Sequence, residues 1–322
     1  MKTTADYSSD VESALRALPL PEGKFDNLYA PIRYALSAGG KRLRPVMVLM
    51  AADAFGEASA KAMDAALGVE LFHNFTLLHD DVMDNSAVRR GRQSVHAKYG
   101  VNSAILSGDT MLTLANAQVG KVDDTVLRPV LDVFNAMALN VYEGQQLDMD
   151  FETGKDVTLD DYLLMTSLKT GALLGAAVQI GALIGGASEK EAKKMYEYGM
   201  NIGLAFQIQD DWLDTFGDSI TFGKPIGGDI ANNKKTYLYL AVGAASKSDA
   251  EALAIAMQLP EKEMKIKTVK RIYEKAGAGE MCQKAVAAYM TKAMGALRHT
   301  SLSDESKEAF RKFAEKLVGR KK

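Results

Sequence analysis

SAKAMDAALGVELFHNFTLLHDDVMD, residues 59–84, is free of proline and places apolar side chains at Ala62, Ala65, Val69 and Phe72, with His73 and Thr76 continuing the stripe. Recurrence at three and four residues predicts an amphipathic helix that starts near Ser59. The next positions on the stripe are Asp80 and Asp84, so a face that begins as core ends as carboxylate, with Asp81 about 100° round the helix. A second stretch repeats the arrangement. Behind a capping box from Ser188 to Glu191, Met195, Gly199, Ile202 and Phe206 lead into Asp210 and Asp214, with Asp211 beside them. One Asp-Asp-x-x-Asp near a helix end is ordinarily a solvated face; two, each closing an apolar stripe, call for another reason. Carboxylates that converge inside a helical bundle repel by several kcal/mol at an effective dielectric of about 20 unless cations neutralise them. Mg²⁺ answers that need and fills its shell with water and phosphate oxygens, which predicts a phosphorylated substrate.

Working outward, the long proline-free stretches between Pro45 and Pro129 and between Pro129 and Pro225 let helices run unbroken. Phe310, Phe313, Ala314 and Leu317 behind a cap at Ser303 show the same spacing, and no segment sustains the alternation of a half-buried strand. The chain is therefore expected to be all-α, with breaks near Pro19 to Gly23, Phe55-Gly56, Gly100, Lys121 to Asp124, Gly185-Gly186, Gly217 to Gly228 and Pro260. Short connections predict antiparallel neighbours in one domain over 1–322, a single bundle around a central cavity.

Composition narrows the function. With 39 Lys+Arg against 41 Asp+Glu the formal charge is −2, which argues against general nucleic-acid binding. The single cysteine, Cys282, excludes an intramolecular disulfide framework and suits the reducing cytoplasm. Asp6, Asp10 and Glu12 fall where an export signal would need its apolar core. Thr170 to Ser188 is uncharged, but Gln179 and its many glycines and alanines give it weak transfer energy, so a buried core helix is expected there and no transmembrane segment. Its small residues Gly171, Gly175, Ala182 and Gly185 would let neighbouring helices approach closely.

Three basic clusters supply charge complementary to a phosphate: Gly39-Gly40-Lys41-Arg42-Leu43-Arg44-Pro45, then Arg89-Arg90-Gly91-Arg92 after the first acidic motif, then Gly223-Lys224 and Lys234-Lys235 after the second. Arginine forks match phosphate oxygens bidentately, and a glycine pair lets the backbone come close to an anion at a helix start. No Gly-x-x-x-x-Gly-Lys-Ser/Thr loop occurs, so a nucleotide is not favoured.

These motifs, with Gly144-Gln145, Asp148, Lys169-Thr170-Gly171, Phe206-Gln207 and Gly228-Asp229 in the same order, resemble the trans-isoprenyl diphosphate synthases, or polyprenyl synthetases, over about residues 25–300. The resemblance implies a homodimer, three Mg²⁺ ions per active site, and head-to-tail condensation of isopentenyl diphosphate with an allylic diphosphate. It implies Asp80, Asp84 and Asp210 as direct metal ligands, with Asp214 at the metal site and, like Asp81 and Asp211, acting through water or from behind. Arg89, Lys169, Thr170, Gln207, Lys224 and Lys234 are similar to the residues that hold the allylic diphosphate, and Lys41, Arg44, His73 and Arg90 to the isopentenyl diphosphate pocket. Asp80, Asp84, Arg89, Lys169, Asp210 and Lys224 form the catalytic set; Gln145 and Asp148 orient neighbours. The Gly217 to Gly228 segment is expected to close when Lys224 meets diphosphate. Terpene cyclases and squalene-type synthases share the metal logic but usually lack the Gly-Gly-Lys-Arg motif and have a degraded second acidic motif. A silent partner subunit would be expected to lose an acidic motif or the arginine pair. Chain length is read from the residues one and two turns before Asp80. Phe75 is large, Thr76 small, and Phe72 lies beneath; in the family resembled, two aromatics at the first two positions often go with fifteen carbons and one with twenty, which implies geranylgeranyl diphosphate first, farnesyl diphosphate second and much longer chains third.

Overall fold

The computed structural model describes residues 1–56, 58–154, 156–218 and 226–319. Among these the architecture is all-α, apart from a hairpin of two short strands, β1 (Val88–Arg89) and β2 (Arg92–Gln93). Strands of this length carry no readable alternation, so the sequence could not announce them. The chain divides into two compact units, Met1–Phe134 with Ala177–Ala192, and Asn135–Ala176 with Lys193–Lys322.

The first unit contains α1 (Thr4–Arg16), α2 (Asp26–Ser37), α3 (Leu43–Gly56), α4 (Ser59–Met83), α5 (Val95–Tyr99) and α6 (Val101–Val119). Its axis is α4, which lies along α6 and α3 and buries Ala62, Ala65, Val69, Leu71 and Phe72 completely. Helix α1 is tied on by the Tyr7 hydroxyl, which donates to Asp53 Oδ2 at 2.7 Å. Gly185 lets another segment come close: a methyl group built there would stand 2.6 Å from the Ala52 carbonyl oxygen.

Two prolines lie inside helices. Pro31 lies within α2, and Pro129 within α7 (Asp124–Thr153). Each stands about a turn and a half from its helix start, so the lost N–H costs one bond near an end that already frays.

In the second unit, α8 (Leu159–Thr166) begins on a capping box between Thr158 and Asp161 and runs into one π turn, Ser167–Gly171. Then come α9 (Ala172–Ile184), which belongs to the first unit from Ala177 on, and α10 (Glu189–Phe216), which belongs to the second from Lys193 on; α9 is the expected core helix. Leu159–Ile184 is long and apolar enough to cross a membrane by length and composition alone, with 67% of the qualifying window buried inside the protein. A short helix, Gly228–Ala231, and helices Tyr237–Ala245, Lys247–Met257, Lys262–Ala276, Ala278–Arg298 and Asp304–Val318 follow in this unit. The last is capped by Ser303 and covers Tyr198, whose hydroxyl donates to Phe310 O at 2.8 Å. Cys282 is a free thiol, fully buried.

Candidate active site

The first acidic motif sits where α4 ends. Asp80 is half-buried, Asp81 is only 3% exposed, and Asp84 is the exposed C-cap residue. The middle carboxylate, not the outer two, is the one taken from water. Its partner comes from the hairpin: Arg89 donates from Nε to Asp81 Oδ1 at 2.8 Å and from Nη2 to Asp80 Oδ2 at 3.0 Å. Burial still raises the Asp81 carboxyl above the ordinary range, against the pull of Arg89. The hairpin turns through Arg90 (φ 53°) and Gly91 (φ 73°), two left-handed residues as a type I′ turn requires, with a non-glycine residue held at the first. Tyr34 of α2 braces this hairpin, donating its hydroxyl to Gln93 O at 2.9 Å while the Arg92 guanidinium stacks 4.4 Å from its ring centre.

The Gly39–Pro45 motif divides its labour in a way composition does not show. Arg42, 3% exposed and left-handed at φ 45°, points inward. It donates to Glu12 Oε1, Glu70 Oε1 and Leu36 O, each at 2.7 Å, so it is a structural clamp and supplies no charge to a phosphate. Arg44 takes no part in that clamp and pairs with a histidine instead. Its Nη1 donates to His73 Nε2 at 3.1 Å, and its Nε is buried without a hydrogen-bond partner. Burial lowers the Arg44 pKa to about 10, which leaves it charged at neutral pH. The glycine pair meets a cation and not an anion: the Arg90 guanidinium donates to Gly39 O and lies over Gly40, where a Cβ would collide with it. Lys41 is exposed beside them.

Burial first, then the Arg44, Arg90 and Arg89 charges, push the His73 imidazole well below its ordinary value. The ring is therefore neutral and accepts from Arg44. Because the unfolded chain binds that proton more readily, stability present above about pH 6.5 is lost as pH falls below it. Urea midpoints taken from pH 7.5 to pH 5 should fall less steeply for His73→Gln than for the parent; equal slopes would contradict the neutral ring.

The second acidic motif closes α10, and again the middle residue is buried. Asp211 Oδ2 accepts from the Tyr162 hydroxyl at 2.7 Å and from Tyr237 N at 2.9 Å, and Gln207 Nε2 donates to Oδ1 at 3.1 Å. Burial, then the charge of Asp229, push its pKa up to about 7 against those three donors. Asp214, 5% exposed, accepts from Asp229 N at 3.1 Å at the start of the short helix Gly228–Ala231. Asp210 is left as the half-exposed member. Lys169 and Thr170 sit on the π turn, with Lys169 Nζ donating to Asp148 Oδ2 at 2.6 Å. Lys234 is exposed, whereas its neighbour Lys235 caps the end of α7 by donating to Gly154 O at 2.5 Å. Gly223 and Lys224 lie outside the described residues, and with them the core of the expected closing segment.

Among the described residues, no three Asp, Glu, His or Cys side chains converge as a ready-made metal cage. The carboxylates of each motif are nonetheless hard oxygens that keep access to solvent, at Asp80 and Asp84 in the first motif and at Asp210 in the second. A cation that retains waters and takes further oxygens from a phosphate fits either motif taken by itself. One residue the sequence reading missed is Phe134 of α7. Its ring packs 5.6 Å from that of Phe72, which is 5.5 Å from Phe75, and Phe75 in turn is 4.9 Å from His79. Only a contact across helices could have pointed to it.

The sequence model of polyprenyl synthetases matches residues 25–276. The chain belongs to the polyprenyl synthetase family. As a polyprenyl synthetase it is an enzyme of the trans-prenyltransferase class. It is 44% identical over 235 residues to the geranylgeranyl diphosphate synthase of Methanosarcina mazei, covering 72% of each chain. To the geranylfarnesyl diphosphate synthase of Aeropyrum pernix it is 37% identical over 306 residues, 92% of this chain and 95% of that one. A crystal structure of a geranylgeranyl pyrophosphate synthase superposes with a TM-score of 0.95 at 43% identity over 100% of both chains.

Proposed function

We propose that this polyprenyl synthetase condenses isopentenyl diphosphate head-to-tail with an allylic diphosphate, giving short-chain all-trans products with geranylgeranyl diphosphate ahead of farnesyl diphosphate. The observation that carries the reading is the cluster around Arg44. A guanidinium whose buried Nε–H has no partner, a neutral histidine on its Nη1, and Arg90 and Lys41 close in sequence or space together suit an anion with several oxygens. Isopentenyl diphosphate is assigned there, and the allylic diphosphate to Arg89, Lys169, Thr170, Gln207, Lys224 and Lys234.

The family is generally Mg²⁺-dependent. We assign three Mg²⁺ ions to Asp80, Asp84, Asp210 and Asp214 together with substrate oxygens; when bound, they neutralise charge that builds on the departing diphosphate. Arg89 and Lys169 add fixed positive charge to the same leaving group. Apolar walls keep water from the allylic cation while the isopentenyl double bond attacks it. The proton then lost goes to the released diphosphate, so no nucleophilic side chain is required. Residues 1–322 are read as one functional domain, supported by a family match that takes in parts of both units. A homodimer is proposed on the resemblance and on the exposed apolar side chains Val101, Ile105 and Leu106 of α6, and the cytoplasm on the single buried thiol.

The decisive assay supplies purified protein with Mg²⁺ and both substrates and follows diphosphate release and product length. No longer prenyl diphosphate would defeat the reading. Chain length has its own test. Thr76 is half-buried on the His73 face of α4, with its hydroxyl bonded back to His73 O at 2.8 Å, whereas Phe75 is wedged into the Phe72 cluster. Thr76→Phe should shorten the product by about one isoprene unit, since one helical turn of about 5.4 Å is roughly its length. Phe75→Ala should lengthen it; unchanged chromatograms for both variants would place the floor elsewhere.

A further inference from the structure

Helix α7 backs directly onto the π turn that carries Lys169. Gly144, buried on α7, stands so close that a Cβ built on it would lie 2.3 Å from Lys169 N and 2.8 Å from Lys169 Cα. One turn further along α7, Asp148 Oδ2 accepts from Lys169 Nζ at 2.6 Å. The same helix therefore sets the backbone of Lys169 at one point and its ammonium at another. In the π turn the N–H of Ala172 reaches back to Ser167 O, one residue further than in an α-helix, which widens the turn locally. The absent side chain at Gly144 is what lets α7 sit against the turn at this point.

We propose that Gly144 and Asp148 are positioning residues for Lys169, and that the glycine is required to seat Lys169 for the allylic diphosphate. The proposal rests on the reading of Lys169 as a ligand of that substrate. Ordinary van der Waals contact begins at 3.4 Å, so an alanine at 144 drives the turn and the helix apart by on the order of 1 Å. Displacement of a diphosphate-binding ammonium by that distance costs up to about 10²-fold in rate.

Steady-state kinetics with each substrate varied in turn, on Lys169→Ala, Gly144→Ala, their double variant and Asp148→Asn, provide the test. Gly144→Ala should lower kcat/KM for the allylic diphosphate by about 10- to 100-fold, with KM for isopentenyl diphosphate within about twofold of the parent. In the Lys169→Ala background it should add less than about twofold, because two residues that act through one group are not additive. A folded Gly144→Ala protein with unchanged allylic kinetics, or one whose defect is the same size without Lys169, overturns the proposal. If Gly144→Ala does not fold, Asp148→Asn decides: loss of a charged hydrogen bond should raise the allylic KM about tenfold, and no rise overturns it. If Lys169→Ala itself leaves the allylic KM untouched, the ligand assignment falls and the proposal with it, an outcome distinct from failure of Gly144 alone.

Discussion

Asp80→Ala protein, folded and pure, is expected to release diphosphate at least about 10³-fold more slowly than the parent, and Asp210→Ala should match it. Both residues keep solvent access at the end of a long helix, so neither truncation leaves a buried group stranded. Each removes hard-oxygen charge that the reaction needs when the allylic diphosphate departs. Asp81→Asn should behave differently. That residue is buried under Arg89, and its loss should appear first as a lower melting temperature and only secondarily in rate. Parallel activity and circular-dichroism melts on the three variants separate the roles; an Asp80→Ala enzyme with full activity would remove the metal assignment.

The largest effect on stability is expected from Arg42. Its side chain and that of Glu70 are 1% and 3% exposed, and they meet at 2.7 Å. Arg42→Ala strands the Glu70 carboxylate, to which, among the described residues, only Asn74 Nδ2 would still donate at 3.0 Å, and should cost about 3–5 kcal/mol. Glu12 is more open, at 31%, so Glu12→Ala should cost only about 1 kcal/mol. Replacing Arg42 and Glu70 together by Met and Leu should recover much of the loss, since neither charge then remains alone. Urea unfolding read by fluorescence measures all three. If the single Arg42→Ala change costs less than the double replacement, the clamp is not what holds α1, α2 and α4 together.

Helix α4 and its acidic end were legible because a period near four survives any tertiary context, and residues 59–84 keep it for six turns. The same logic found the core helix within Thr170–Ser188 and the cap at Ser303. Periodicity could not say which aspartate of each motif is buried. That depends on Arg89 folding back from a hairpin, and on Tyr162 and the Tyr237 N–H reaching Asp211 from other helices. Nor could it separate Arg42 from Arg44, two residues apart in one basic motif, because only the left-handed backbone at Arg42 turns its side chain inward. The π turn was equally silent: Ser167–Gly171 lacks a breaker before its glycine, and the widening shows only where Gly144 packs against it.

Cys282 has a practical consequence. Its thiol is fully enclosed, and burial raises its pKa, so at neutral pH it offers almost no thiolate to an alkylating dye. The native chain is thus already a blank background for site-selective fluorescent or spin labelling. A cysteine introduced at an exposed position such as Glu251 or Lys284 should react alone, without first mutating the protein's own. Pairs of such labels would turn any substrate-driven rearrangement into a distance read in solution.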